Sequence, residues 1–293
     1  ATGHIGTSQT YKQTQDMLRS YDRKLDQRLF SDIDLRYVRG FDMFLQKRGC
    51  CGNTRKFYFK ALRAILNRAN AEGVGSAATY PFGRGGFEVS KLEEATAKRY
   101  LPAAELSKLK STTASNPQCE YARKLFLFSY YCYGISFIDM AMLTAAHIKQ
   151  MEDGDYIVYK RQKIKRQKGV KPISITPAIR QLIGSLQAAS PTVDDFLLPI
   201  VTRSGYTGER LYMHIRARYS KYQKYLRLLA EELGIDFHLT SYVSRHTAAM
   251  TLQRNNIPRE VISQMLGHAD LETTNIYLDS FDNGVINEAA KVL

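Results

Sequence analysis

The chain has 293 residues, which is long enough for two ordinary domains. Its 42 Lys and Arg residues outnumber its 28 Asp and Glu residues, and the resulting formal net charge of +14 favours a polyanionic partner. No apolar run approaches the roughly 20 residues of a membrane-spanning helix, so the composition favours nucleic acid over a membrane as the partner.

Three helices are predicted in the first 73 residues. The first begins at Thr7 or Ser8 and runs to about Leu25. The second begins at Ser31 and ends at Gly49, because apolar residues recur at helical intervals between them (Leu35, Val38, Phe41 and Leu45).

The third helix opens at Asn53 or Thr54 and ends near Gly73. Five basic residues lie along it: Arg55, Lys56, Lys60, Arg63 and Arg68. On an isolated helix such residues usually form a solvated face.

A change of composition follows the third helix. Residues from about Val74 to Ser90 are rich in Gly, Ala, Pro and Ser, which predicts a flexible linker between two domains. The first domain then covers residues 1–90 and the second covers 91–293, with Pro102 leading its first helix. The second domain is predicted to be mainly helical.

A basic segment in the second domain has the pattern of a β-hairpin. Two alternating stretches, at about 156–159 and 171–175, are predicted strands, and Gly169 is a plausible turn residue. From Tyr159 to Lys171 the chain holds seven basic residues and no acid. Lysine-rich hairpins are often only solvated edges.

The last quarter of the chain contains an Arg, a His and a Tyr on or beside short predicted helices that have clear start and stop signals. Thr240 or Ser241 caps a helix that carries Arg245 and runs to about Arg254. Pro258 is predicted at the first position of the next helix, whose apolar face comprises Val261, Ile262 and Leu266, and Gly267 ends it. His268 follows directly, and Asp270 or Thr273 opens the helix that bears Tyr277.

These residue types suit attack on a phosphodiester. The fork of donors on a guanidinium matches two phosphate oxygens, and donors aimed at developing charge are usually the largest catalytic term. A tyrosine hydroxyl becomes a nucleophile when it has a proton acceptor and nearby positive charge. Each residue alone is more often structural.

Together, Arg245, Leu266-Gly267-His268 and Tyr277 resemble the C-terminal signature of the tyrosine recombinases of the phage integrase family, including the nine-residue step from His268 to Tyr277. The resemblance implies a mainly α fold with a small β-sheet. In this fold an N-terminal helical, SAM-like core-binding domain precedes a C-terminal catalytic domain. A further N-terminal arm-binding domain is often present in the family, and it would precede Ala1.

The resemblance also implies the reaction. Tyr277 attacks a scissile phosphate to form a 3′-phosphotyrosyl bond, Arg245 holds the phosphate, and His268 hydrogen-bonds it or assists the tyrosine proton. Lys163 occupies the place of the catalytic lysine in the basic hairpin and protonates the leaving 5′ oxygen. No metal or nucleotide cofactor is required.

Two positions depart from the family pattern. The motif at 133–140 keeps its acid, Asp139, but has Ser136 where an Arg is usual, and Tyr242 replaces the usual His three residues before Arg245. Two explanations stay open. In the first, the enzyme is active and another cation, Arg161 or Arg123, takes the place of the missing Arg; the motif resembles that of Bacteroides-type mobile-element integrases, which work with Ser at this position. In the second, the chain is a DNA-binding homologue with impaired cleavage. His246 is expected to be structural.

The expected partner is double-stranded DNA at attachment or core sites, bound by four protomers on paired sites, with a host DNA-bending protein as a further partner. The expected DNA contacts are the basic residues of the third helix and of the hairpin (Arg55, Lys56, Lys60, Arg63, Lys160, Arg161, Lys165 and Arg166). The tail after Tyr277 has the pattern of an amphipathic helix that docks on a neighbour or packs on its own domain. A topoisomerase-like activity using the same tyrosine is the enzymatic alternative.

The four cysteines, Cys50, Cys51, Cys119 and Cys132, do not have the spacing of a metal site, and the adjacent pair is poorly placed to form a disulfide. This usage is typical of a reduced, cytoplasmic protein, which would associate with the nucleoid when bound to DNA.

Overall fold

The structure is a computed structural model that describes residues 5–94, 99–162, 172–267 and 274. The chain divides into two compact units, an N-terminal unit (Ala1–Ala97) and a C-terminal unit (Lys98–Leu293). The described part is mostly helical with one small sheet, which confirms the predicted fold class. No helix among the described residues has both the length and the apolarity to cross a membrane.

The N-terminal unit contains three long helices: α1 (Ile5–Tyr21), α2 (Leu35–Lys47) and α3 (Gly52–Ala71). The predicted start of the second helix at Ser31 is wrong. Residues Phe30–Asp32 form a 3-10 turn, and Asp34 caps α2 by accepting the Tyr37 N–H at 2.8 Å. An aspartate carboxylate satisfies an otherwise unpaired N–H of the first helical turn, so α2 begins after the cap.

The glycine-rich segment at about 74–90 differs from the flexible linker that the sequence predicts. Phe82 and Val89 are buried in the same core as Phe59 of α3, and the ring of Phe87 lies 4.4 Å from that of Phe59. Farther along, the Glu94 carboxylate accepts the Gly52 N–H at 2.8 Å. The segment therefore packs inside the N-terminal unit, because its few apolar side chains are buried in the core in spite of its high glycine content.

The C-terminal unit has seven helices among its described residues: α4 (Ala103–Ser111), α5 (Pro117–Tyr131), α6 (Phe137–Ala141), α7 (Pro177–Ala189), α8 (Gly208–Leu233), α9 (Ser241–Arg254) and α10 (Arg259–Leu266). Pro102 caps α4 and Pro258 caps α10, one position before the predicted site. Val261 on α10 is exposed, whereas Ile262 and Leu266 are buried as predicted.

Helix α5 lies at the centre of this unit. Leu125, Phe126 and Phe128 are fully buried, and α5 contacts α7, α8 and α9. A helix that is apolar nearly all round must be covered on most sides. The buried α5 therefore forms the scaffold on which α9 is held.

The sheet has three antiparallel strands in the order β1 (Ile148–Met151), β2 (Gly154–Ile157) and β3 (Ile173–Ser174). Strands β2 and β3 pair through Tyr156 with Ser174 and Ile157 with Ile173. The two flanks of the basic segment are therefore paired as a hairpin requires, although β2 begins two residues earlier than predicted and β3 is shorter than predicted. Strand β1 was not predicted.

Candidate active site

Arg245 is buried at the start of α9. The hydroxyl of Ser244 is 2.8 Å from that of Ser129 on α5 and donates to the Ser241 carbonyl at 2.7 Å, so the first turn of α9 is tied to the core. Only 5% of Arg245 is exposed. Its guanidinium donates to the Gly134 carbonyl at 3.2 Å and to the Leu266 carbonyl.

The turn after α5 approaches Arg245 closely enough to require glycine. Tyr133 and Gly134 have φ values of 56° and 74°. A Cβ placed on Gly134 would lie 2.3 Å from the Cβ of Arg245. The glycine therefore serves both the left-handed backbone and the close contact with α9.

Helix α10 ends beside two guanidiniums. Gly267 ends this helix in the left-handed conformation, as predicted, with φ 64°. The Leu266 carbonyl accepts from Arg245, and the Gly267 carbonyl accepts from Arg161 at 3.2 Å. Carbonyls at a helix C-terminus carry partial negative charge, which favours cations there.

Asp139 organises the opposite side of this cluster. Its buried carboxylate accepts the Gln162 N–H at 2.8 Å and the Ser136 hydroxyl at 2.6 Å, and it lies 4.0 Å from Arg161 Nε. Ser136 also caps α6 by accepting the Asp139 N–H at 3.3 Å. The hydroxyl of Ser136 is thus engaged within the motif, while Asp139 positions Arg161.

Arg123, the other cation considered as a replacement, is committed elsewhere. It forms two hydrogen bonds of 2.7 Å with the Glu120 carboxylate and donates to the Leu109 carbonyl at 2.8 Å. Its guanidinium therefore links α5 to α4 within the core.

Arg161 and Arg245 line one pocket in the C-terminal unit, together with Tyr133, Tyr159 and Gly267. The nearest carboxylate oxygen of Asp139 lies 4.0 Å from Arg161 Nε. A pocket lined by two guanidiniums suits a phosphate, because each fork offers paired donors to anionic oxygens.

Tyr242 lies on the exposed side of the first turn of α9. It is 54% exposed, and its ring centroid is 5.2 Å from that of His246. A hydroxyl at this place is accessible to a bound macromolecule.

Several predicted site residues lie outside the described residues. These are Lys163, Lys165 and Arg166 of the basic hairpin, and His268 and Tyr277 of the C-terminal signature. Their roles stay predictions. Gln162 and Gly267, the described residues next to Lys163 and His268, both make hydrogen bonds in the cluster around Arg161.

Four of the five basic residues of α3, the predicted DNA contacts, divide into two pairs. Arg55 hydrogen-bonds the Asp42 carboxylate at 2.9 and 3.0 Å, and Lys56 is 2.6 Å from Glu93. Lys60 and Arg63 are exposed, as is Lys160 near the other cluster. The exposed side chains are better placed to meet an external phosphate.

The sequence analysis missed a basic face on α8. Six basic residues lie between Glu209 and Glu231 with no acid among them: Arg210, Arg216, Arg218, Lys221, Lys224 and Arg227. Partial burial lowers the pKa of His214 on this helix, and the charges of Arg218, Arg203 and Lys221 lower it further. The signal that reveals such a face is the absence of acids over five helical turns.

Helix α8 is joined to the start of α9 by two hydrogen bonds. The Gln223 side chain accepts the Ser241 N–H at 2.9 Å, and the hydroxyls of Tyr219 and Ser241 are 3.1 Å apart. The basic face and the helix that carries Arg245 therefore belong to one packed structure.

Comparison with known proteins decides the family. Residues 99–283, well over half of the chain, match the model of the phage integrase family. The chain belongs to this family. Residues 1–88 match the phage integrase SAM-like domain. Both domain types predicted from the resemblance are thereby confirmed.

A curated relative, the tyrosine recombinase XerD of Halalkalibacterium halodurans, is 43% identical over 54 residues, which is 18% of this chain and 18% of the relative. The match therefore spans less than a fifth of that protein.

Two solved structures share the fold of this family member. The XerH site-specific recombinase bound to palindromic difH substrate has 18% identity and a TM-score of 0.64, over 97% of this chain and 79% of XerH. The Tn1549 transposon integrase in complex with transposon right end DNA has 14% identity and a TM-score of 0.62, over 97% of this chain and 98% of that one.

Proposed function

We propose that this protein is a site-specific DNA recombinase that cuts and rejoins DNA through a 3′-phosphotyrosyl intermediate. The observation that carries the proposal is the pocket lined by Arg161, Arg245 and Gly267, the last of which directly precedes His268 in the sequence. Membership of the phage integrase family supports the same reaction, as do the names of its recombinase relatives.

In the proposed cleavage step, the phenolic oxygen of Tyr277 bonds to phosphorus and the bond to the 5′ oxygen breaks. The phenolic proton passes to His268 or solvent, and Lys163 protonates the departing oxygen. In the second step, the 5′-hydroxyl of the partner strand attacks the phosphotyrosine and the phenol is regenerated. The energy of the cut bond is kept in the phosphotyrosyl link, so no cofactor is consumed.

We assign the role of the missing guanidinium to Arg161. It donates to Gly267 O while Arg245 donates to Leu266 O, so the two forks sit on consecutive carbonyls. Ser136 instead supports Arg161 through Asp139. The engagement of Arg123 with Glu120 argues against Arg123 for this role.

DNA is the proposed partner of both units. In the N-terminal unit the proposed contacts are Lys60 and Arg63. Arg55 and Lys56 join them if they exchange their carboxylate partners for phosphates. In the C-terminal unit they are the basic hairpin and the exposed basic face of α8. Four protomers on two paired sites would then bring two scissile phosphates together for exchange, as expected for an integrase of a mobile element.

Cleavage is tested with DNA that traps the intermediate. Random-sequence duplexes are selected for binding to the full chain, and the selected site is then nicked near each candidate scissile phosphate, so that a short strand diffuses away after attack. The expected product is a protease-sensitive protein–DNA adduct. The adduct should be absent in Tyr277→Phe and present in the matched variant Tyr131→Phe, which removes a hydroxyl from a half-buried ring elsewhere.

The outcomes separate the alternatives. Binding without any adduct would refute the proposal and support an inert DNA-binding protein. An adduct together with relaxation of supercoiled DNA, but without recombinants between two labelled sites, would support a topoisomerase-like activity. Recombinants that require Tyr277 establish strand exchange.

A further inference from the structure

Tyr159 lies in the same pocket as the two arginines. It follows strand β2, its ring packs against the core of the C-terminal unit, and it lines the pocket with Arg161 and Arg245. In an extended chain, residues two apart point to the same face. Tyr159 and Arg161 are therefore placed to serve one site.

The hydroxyl of Tyr159 makes no hydrogen bond within the described part of the chain. The hydroxyl of Tyr121, whose ring is buried to a similar degree, in contrast donates to the Pro199 carbonyl at 2.8 Å. The ring is partly buried while its oxygen stays open to solvent, so a ligand in the pocket can supply the acceptor that the protein does not. The pocket is where such a ligand would bind.

Electrostatics determine which ligand suits this hydroxyl. Burial raises the pKa of Tyr159 and the nearby carboxylate of Asp139 raises it further, while the charges of Arg161 and Arg245 oppose this rise. The phenol therefore stays protonated at neutral pH and acts as a donor. The carboxylate of Asp139 already accepts from Ser136 and from the Gln162 N–H. The matching acceptor is an external anionic oxygen held between the two guanidiniums.

We propose that Tyr159 is a catalytic residue that donates its hydroxyl proton in a hydrogen bond to a non-bridging oxygen of the scissile phosphate held by Arg161 and Arg245. The proposal rests on the recombinase function proposed above. Tyr159 would also supply a hydrogen-bond donor to a site that has lost two, since Ser136 and Tyr242 stand where an arginine and a histidine donor are usual. A neutral phenol adds a donor without adding a further charge beside Arg161.

The test replaces only the hydroxyl. Tyr159→Phe should form the covalent adduct on the nicked duplex about 10- to 100-fold more slowly in single turnover, the loss expected for one hydrogen bond to a charged group. Its DNA affinity should stay within about twofold of the wild type, since one contact among many is removed.

The matched control is Tyr222→Phe. The hydroxyl of Tyr222 likewise has no partner among the described residues, but this tyrosine is buried and packs against Phe137 away from the pocket. This variant should cleave at the wild-type rate. Urea unfolding of both variants shows whether the loss in Tyr159→Phe comes from instability.

A substrate change separates donation from packing. In duplexes where either non-bridging oxygen of the scissile phosphate is replaced in turn by methyl, one of the two replacements removes the acceptor of Tyr159. On that substrate, Tyr159→Phe and the wild type should react at rates equal within about twofold, as a double-mutant cycle requires for a single shared contact.

Two results would overturn the assignment while leaving the recombinase function intact: an undiminished rate in Tyr159→Phe on normal DNA, or the same loss on both methylated substrates. Absence of any adduct with the wild-type chain would instead refute the recombinase function, and the role of Tyr159 with it.

Discussion

Replacing Gly134 with alanine tests how Arg245 is positioned. The added Cβ would lie 2.3 Å from the Cβ of Arg245 and 2.4 Å from its Cα, and real Cβ atoms essentially never approach within 3.0 Å of another heavy atom. Neither contact is the flexible end of a side chain. The turn or the first turn of α9 must therefore move.

The magnitude follows from two separate costs. An alanine in the left-handed region costs about 1–2 kcal/mol, and forcing an extra group into a packed contact adds about 1–3 kcal/mol. The free energy of unfolding should therefore fall by about 2–5 kcal/mol. Because a displacement of about 1 Å near the chemistry can cost 10²-fold in rate, adduct formation should slow by about that factor.

Two glycines of the same unit provide controls in urea unfolding. Gly205 has φ +70° and open space around its Cα, so Gly205→Ala measures the backbone cost alone, about 1–2 kcal/mol. Gly184 lies inside α7 with nothing within 4 Å, so Gly184→Ala should stabilise the protein by about 1 kcal/mol. Neither control should change the rate of adduct formation.

The reasoning would be refuted if Gly134→Ala unfolded like Gly205→Ala and cleaved DNA at the wild-type rate. The close approach of the turn to α9 would then have no energetic consequence. A loss of stability without a loss of rate would show that Arg245 keeps its place when the turn moves.

Three further predictions follow from the site and its surroundings. Arg161→Ala should slow adduct formation by about 10²–10³-fold, whereas Arg123→Lys should lower the free energy of unfolding and leave the cleavage rate of the folded protein unchanged. Burial alone would raise the pKa of Glu120, but the hydrogen bonds from Arg123 and the Ala114 N–H lower this pKa overall. The stability that the Glu120 carboxylate contributes is complete above its ordinary pKa of 4.5 and is lost as the pH falls through the lowered pKa. The free energy of unfolding of Glu120→Gln, measured in urea, should therefore depend less on pH in the acid range. If Lys221 contacts a phosphate, Lys221→Gln should reduce the slope of log affinity against log salt by about 0.9, and an unchanged slope would exclude the contact.

The helices and the family could be predicted from the sequence because both depend on patterns of residues that are close together in the chain. Apolar residues that recur every three or four positions face one side of a helix whatever surrounds it. The ends of α9 and α10 agree with their predicted caps within a residue or two for the same reason, since capping involves only neighbours in the chain. The signature around Arg245, together with its spacing to Tyr277, likewise needs no tertiary information.

The linker prediction shows where composition misleads. Glycine and proline indicate that a regular element ends, but they do not tell whether the segment packs. Phe82 and Val89 are buried because they pack against α3, and this contact is formed only in the folded unit.

The replacement for the missing arginine could only be narrowed to Arg161 or Arg123 from the sequence. Our assignment to Arg161 rests on contacts between distant segments: Arg161 reaches Gly267, 106 positions away, whereas Arg123 pairs with a glutamate one helical turn back. The need for glycine at 134 has the same origin, since its close neighbour is 111 positions away. Local periodicity determines which helices form. A pocket is assembled from segments that meet only when the whole unit has folded, so the charged side chains that line it are decided by the tertiary structure.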